Sequence, residues 1–120
     1  MSSVNACLAA ISIKDAIKMK NLTTKSALTK GSIELVKINN VDDILGEPVN
    51  KCTRLLSKAK PNQILIDDVI FKSDRSWLKN IKKFLKISKE HHDSVKNYQD
   101  ITYYEICASK SSFVGFDSKM

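Results

Sequence analysis

The sequence predicts a single α+β domain, and three observations carry that expectation. Apolar residues recur at helical spacing across residues 4–20. A proline, Pro48, stands where a second helix should begin. Short apolar runs bounded by Asn, Pro and Gly lie between and after these segments. At 120 residues the chain is long enough for one core and short of two. Its 42% apolar content supplies that core and excludes wholesale disorder. Three Gly and two Pro exclude collagen-like and low-complexity chains.

In chain order, the first helix is expected over residues 4–20. Val4, Cys7, Leu8, Ile11, Ala16 and Ile17 are its apolar candidates, and Lys14, Lys18 and Lys20 turn to water. Residues 21–24 form a polar exit. Strands are expected at 25–30 and 32–39, joined near Gly31, with Ile33 and Leu35 on one side of the second and Val36 and Ile38 on the other. Residues 39–43 read as a polar loop. Pro48 opens a second helix reaching about Lys58, because the N–H that proline lacks would have no intrahelical partner there. Its apolar stripe is expected to be Val49, Cys52, Leu56 and Ala59. Pro61-Asn62 stops it, a short strand follows at 63–66, and 67–74 forms a short helix or turn. Residues 79–88 and 101–107 read as strands separated by a long polar excursion. The domain is thus expected to span 1–108, with a flexible tail over 109–120.

Charge and cysteine content narrow the function classes. Twenty Lys+Arg against thirteen Asp+Glu give a net charge of +7. Residues 72–96, with eight basic and three acidic residues, carry +5 of it, and the concentration around Lys72, Arg75, Lys79, Lys82, Lys83, Lys86 and Lys89 could contact phosphate backbones. Eighteen Lys to two Arg argue against specific nucleic-acid recognition, since Arg makes the bidentate base contacts, and no nucleic-acid motif accompanies the charge. A solvated basic face is the simpler reading. Cys7, Cys52 and Cys107 are odd in number and widely spaced, so neither a disulfide framework nor a paired zinc site is expected, and a cytoplasmic location follows. The apolar stretch 6–11 is too short to span a bilayer. His91-His92 are adjacent and should diverge, so no metal site is expected there. Trp77 reads as a packing anchor.

The segment from Asp42 to Leu56 carries the chemistry. On a helix starting at Pro48, Asn50 and Arg54 lie four residues apart, hence about 40° apart around the axis. An amide and a guanidinium delivered together suit a sugar–phosphate: the amide can fix a hydroxyl, and Arg can neutralise charge on a transferring phosphoryl group. Gly46 permits a tight turn before the helix, and that turn could bring Asp43 back to accept a proton from an exocyclic amine. The plainer alternative is an Asn–Arg pair on an exposed helix.

The pattern Asp43-Ile44-Leu45-Gly46-x-x-Val49-Asn50-x-x-x-Arg54-Leu55 resembles the signature of class III nucleotidyl cyclases. The flanks are similar in order: the strand ending at Gly31, Ala59-Lys60-Pro61-Asn62-Gln63-Ile64-Leu65-Ile66-Asp67, and Val95-Lys96-Asn97-Tyr98 followed by Tyr103-Tyr104-Glu105-Ile106. The likeness spans roughly residues 4–107 and corresponds to the C-terminal part of the family's domain. It implies an incomplete copy of the family's ferredoxin-like architecture. It implies that Asn50 orients the ribose, Arg54 stabilises the pentavalent transition state and Asp43 selects adenine. The implied reaction is attack of the ATP ribose 3′-hydroxyl on the α-phosphorus, giving 3′,5′-cyclic AMP and pyrophosphate.

The resemblance also implies Mg2+ or Mn2+ as cofactor. The family's two metal-binding aspartates lie ahead of the helix expected at 4–20, and no carboxylate here precedes Asp15. The expected partners are therefore ATP and either a second copy or a chain supplying the complementary half. Two further readings stand beside the enzyme: a non-catalytic cyclase-homology module that binds a nucleotide or partner, and a small basic nucleic-acid-binding domain.

Overall fold

The computed structural model describes residues 3–32, 34–72, 83–94 and 100–117, and the backbone alone within the strand pair at 34–45 apart from Lys37, Asn39 and Asn40. The first helix, α1, runs from Ser3 to Lys18 and buries Ser3, Cys7, Ile11 and Lys14, a stripe spaced four, four and three residues apart. Lys14, expected at the surface, lies on that stripe, and Ala16 is exposed. Asn21, at φ 61°, turns the chain out of α1 in the left-handed conformation that Asn tolerates.

Strands β1 (Ser26–Leu28) and β2 (Glu34–Ile38) form near the expected places, but they do not pair with each other. β1 pairs in parallel with β4 (Ile64–Asp67). β2 pairs with β3 (Val41–Leu45) as an antiparallel ribbon in which Ile38 faces Val41. The expected polar loop at 39–43 is therefore corrected to a two-residue hairpin turn followed by a strand. Asn39 and Asn40 sit at φ 52° and 63°, and positive φ at both central residues is what a type I′ turn requires. The sides expected for Ile33, Leu35, Val36 and Ile38 concern side chains outside the described set.

The second helix, α2, runs from Glu47 to Lys58 and α3 from Asp68 to Lys72. The Asp67 carboxylate caps α3 by accepting the Ile70 N–H at 2.9 Å. Strands β5 (Leu85–Ile87), β6 (His91–Asp93) and β7 (Ile101–Ala108) complete a mixed five-stranded sheet in the order β1-β4-β7-β5, with β6 also on β7. Of the strand expected at 79–88, residues 79–82 lie outside the described residues, as do Trp77 and 95–99.

β5 and β6 lie end to end along one edge of β7, offset by a bulge. Ile87 faces Ile106 and His91 faces Tyr103, so four steps on the edge strand answer three on β7. Ser88 repairs the ladder there: its hydroxyl oxygen accepts the Glu105 N–H at 2.8 Å, while its own N–H donates to the Glu105 carbonyl at 2.9 Å.

The sheet separates two apolar clusters. On one face Cys7 and Ile11 of α1 pack with Ile64, Ile66, Ile70, Leu85, Ile87, Tyr104 and Ile106. On the other, Leu55 and Ala59 of α2 pack with Leu65, Ile101 and Tyr103, joined by Phe116. That last contact belongs to the segment expected to be a flexible tail, and over 109–117 the chain is instead docked. The Glu105 carboxylate accepts the N–H groups of Val114 (2.6 Å) and Gly115 (3.0 Å), and Phe116 stacks on His91 with ring centroids 3.5 Å apart.

Candidate functional site

The site is built on α2, and α2 is held by its own sequence pattern. Pro48, Cys52, Leu55 and Ala59 are spaced four, three and four residues apart and form the stripe against the sheet. The Cys52 thiol donates to the Ala27 carbonyl at 3.3 Å. The expected stripe ran through Leu56, which is 43% exposed, whereas Leu55 is fully buried. Measured from Pro48, residue 55 falls on the sheet-facing line and residue 56 lies about 100° beyond it.

The start of α2 is fixed by three contacts. The Thr29 hydroxyl donates to the Pro48 carbonyl at 2.7 Å. Gly31 passes so close that a Cβ there would lie 2.5 Å from Pro48 Cγ. Gly46, at φ 150°, caps the helix without a side chain, and its carbonyl accepts the Asn50 N–H at 3.2 Å.

The three expected site residues fall on two elements. Asn50 is exposed and Arg54 half-buried, one turn apart on α2. Asp43 lies on β3 opposite Val36, three residues before Gly46. Arg54 does not simply project from the helix. Its Nε donates to Asp93 Oδ2 at 2.9 Å and its Nη2 to the Asp93 carbonyl at 3.2 Å. Lys58 Nζ approaches Asp93 Oδ1 at 3.2 Å, so one carboxylate spans two cations four residues apart. The Asp93 side chain is 10% exposed, less than Arg54 at 17% or Lys58 at 38%. Nothing in the signature announces Asp93, which is 39 residues from Arg54.

Buried polar groups line the same face. Glu105 holds Gln63 Nε2 at 3.1 Å as well as the two backbone N–H groups of 114 and 115. A lone carboxylate within the largely apolar run 101–108 is the sequence signal for it. His91 stacks on Phe116, Tyr103 stands about equally far from both rings, and the buried Nε2 of His91 has no hydrogen-bond partner. Burial pushes its pKa below the usual histidine value of 6.5, against the opposing pull of Asp117 and Glu105. His92, adjacent in β6, pairs instead with Glu90 at 2.7 Å and Thr102 at 3.0 Å.

Among the described residues no group of three or more His, Cys, Asp or Glu could hold a metal ion. The described lysines of the basic segment are engaged locally: Lys72 with Asp68 (3.0 Å), Lys89 with Asp117 (3.7 Å), Lys83 over Phe84 and Lys86 over Phe113. Arg75, Lys79 and Lys82 lie outside the described residues. Among those residues no helix is long and apolar enough to cross a membrane. The chain matches no family model, and no curated protein matches it.

Proposed function

We propose that the chain is a class III cyclase-homology module that binds ATP through Asp43, Asn50 and Arg54. In this reading it supplies the base-selecting and transition-state part of an adenylate cyclase site, and its sheet belongs to the family's ferredoxin-like architecture. The observation that carries the reading is the presentation of Asn50 and Arg54 one turn apart on a helix anchored at Pro48, directly after the strand bearing Asp43. Asn50 orients the ribose so that its 3′-hydroxyl faces the α-phosphorus, and Arg54 takes up charge as pyrophosphate departs. Metal chemistry comes from a complementary half, carried by a second protein or by further sequence.

The test is to combine the 120-residue chain with a metal-bearing cyclase half and measure cyclic AMP. The chain alone should give none, the mixture should give product, and Arg54→Ala should lower turnover about a hundredfold, far more than it weakens ATP binding. A mixture that turns over equally with Arg54→Ala refutes the assignment. The ion pair between Arg54 and Asp93 favours one further reading, a non-catalytic nucleotide-binding module. ATP binding without turnover in the mixture would select it.

A further inference from the structure

Two cations of α2 converge on a single carboxylate. Arg54 meets Asp93 through Nε at Oδ2 and through Nη2 at the backbone carbonyl, and Lys58 meets Oδ1. The two carboxylate oxygens thus bridge a guanidinium and an ammonium, as two non-bridging oxygens of a phosphate would. Asp93 is also the most sealed of the three side chains, so its charge is desolvated and depends on those cations.

We infer that Arg54 and Lys58 together form the polyphosphate subsite of this module, and that Asp93 occupies the subsite as an internal stand-in until a polyphosphate displaces it. The inference rests on the nucleotide-binding reading above and extends it to Lys58 and Asp93. It also selects the ligand. Leaving Asp93 costs each cation a charge-assisted contact, so the incoming group must offer at least two anionic oxygens at matching separation. A pyrophosphate or triphosphate does so and carries more charge than the carboxylate it replaces. Displacement need not dismantle the core, because β6 is only three residues long and pairs at one end of β7.

Asp93→Asn tests this while preserving shape, since the amide oxygen can still accept from Arg54. With inorganic pyrophosphate as probe at low, fixed ionic strength, the variant should bind about tenfold more tightly than the unmodified chain, equivalent to about 1.4 kcal/mol. Adding Lys58→Gln to Asp93→Asn should remove most of that gain. An Asp93→Asn protein that melts cooperatively but binds pyrophosphate no better than the parent overturns the inference. Should the variant fail to fold, the unmodified protein decides: saturating pyrophosphate must shift the Arg54 Nε–H resonance, and an unmoved resonance overturns it. ATP and GTP, run in parallel, separate this inference from the reading it rests on. If pyrophosphate behaves as stated but neither nucleotide binds better than pyrophosphate, the subsite stands and the cyclase-type reading falls. An Asp43-dependent preference for ATP with no response to Asp93→Asn does the reverse.

Discussion

Replacing Glu105 should loosen the C-terminal segment and cost the domain a large share of its stability. The Glu105 side chain is buried on the central strand, and its carboxylate is held by three N–H donors, from Val114, Gly115 and Gln63. A hydrogen bond to a charged group contributes about 1.5–3 kcal/mol. Glu105→Gln keeps one acceptor oxygen and turns an amide against the remaining N–H, so it should cost about 1.5–3 kcal/mol. Glu105→Leu removes both backbone contacts and should cost about 3–6 kcal/mol, against a total of about 5–15 kcal/mol for a domain. Urea unfolding gives the equilibrium values. Trypsin cleavage after Lys110, exposed at the base of the segment, reports local release, and it should accelerate in both variants. If Glu105→Leu unfolded within about 0.5 kcal/mol of the parent with Lys110 equally protected, the carboxylate would not be what holds residues 113–117.

Three other outcomes follow from named contacts. Gly31→Ala sets a Cβ 2.5 Å from Pro48 Cγ and should cost about 1–3 kcal/mol in a thermal melt, with weaker ATP binding as the start of α2 shifts; an unchanged melting temperature refutes the contact. His91 has a depressed pKa, so the unfolded chain binds more protons below pH 6.5 and stability falls as pH drops through the folded value. His91→Phe should flatten the fall of urea stability as pH drops below 6.5, and a retained slope assigns it to other groups. Asp43→Cys should erode a preference for ATP over GTP measured by equilibrium binding, because the carboxylate accepts from the adenine amine and repels the guanine carbonyl; an unmodified chain that binds both equally refutes the base-reading role.

Local signals in the sequence were sufficient for both long helices. The periodicity of α1 and Pro48 at the head of α2 act within a few residues, and the structure places both helices within two residues of expectation. The β2–β3 ribbon was hidden because Asn39-Asn40 reads as polar loop chemistry unless the left-handed tolerance of Asn is weighed at both positions. The docked tail was hidden for another reason. Ser- and Lys-rich composition signals solvation, whereas the segment is held through backbone N–H groups and one ring, Phe116, against a carboxylate and an imidazole elsewhere in the chain. The same limit applies to the candidate site. Asn50 and Arg54 share a helix and their spacing is readable, but the ion pair to Asp93 depends on how β6 is registered against β7.

That register has a parity. Ile87 faces the α1 side of the sheet, and in a regular strand a residue four positions later returns to the same side. The bulge at 88–90 breaks the count, so His91 and Asp93 face the α2 side while Leu85 and Ile87 remain on the other. One edge strand thereby serves two layers: an apolar half for the core and an ionisable half for α2. If the bulge were smoothed without shortening the chain, Glu90 and His92 would take the places opposite Tyr103 and Ile101, and Arg54 would lose its carboxylate. Shortening the bulge by one residue would instead keep Asp93 in place. Odd changes in length are thus silent inside the bulge and inverting elsewhere in the strand, so the aim of an arginine on a distant helix is set by whether a three-residue stretch counts as odd or even.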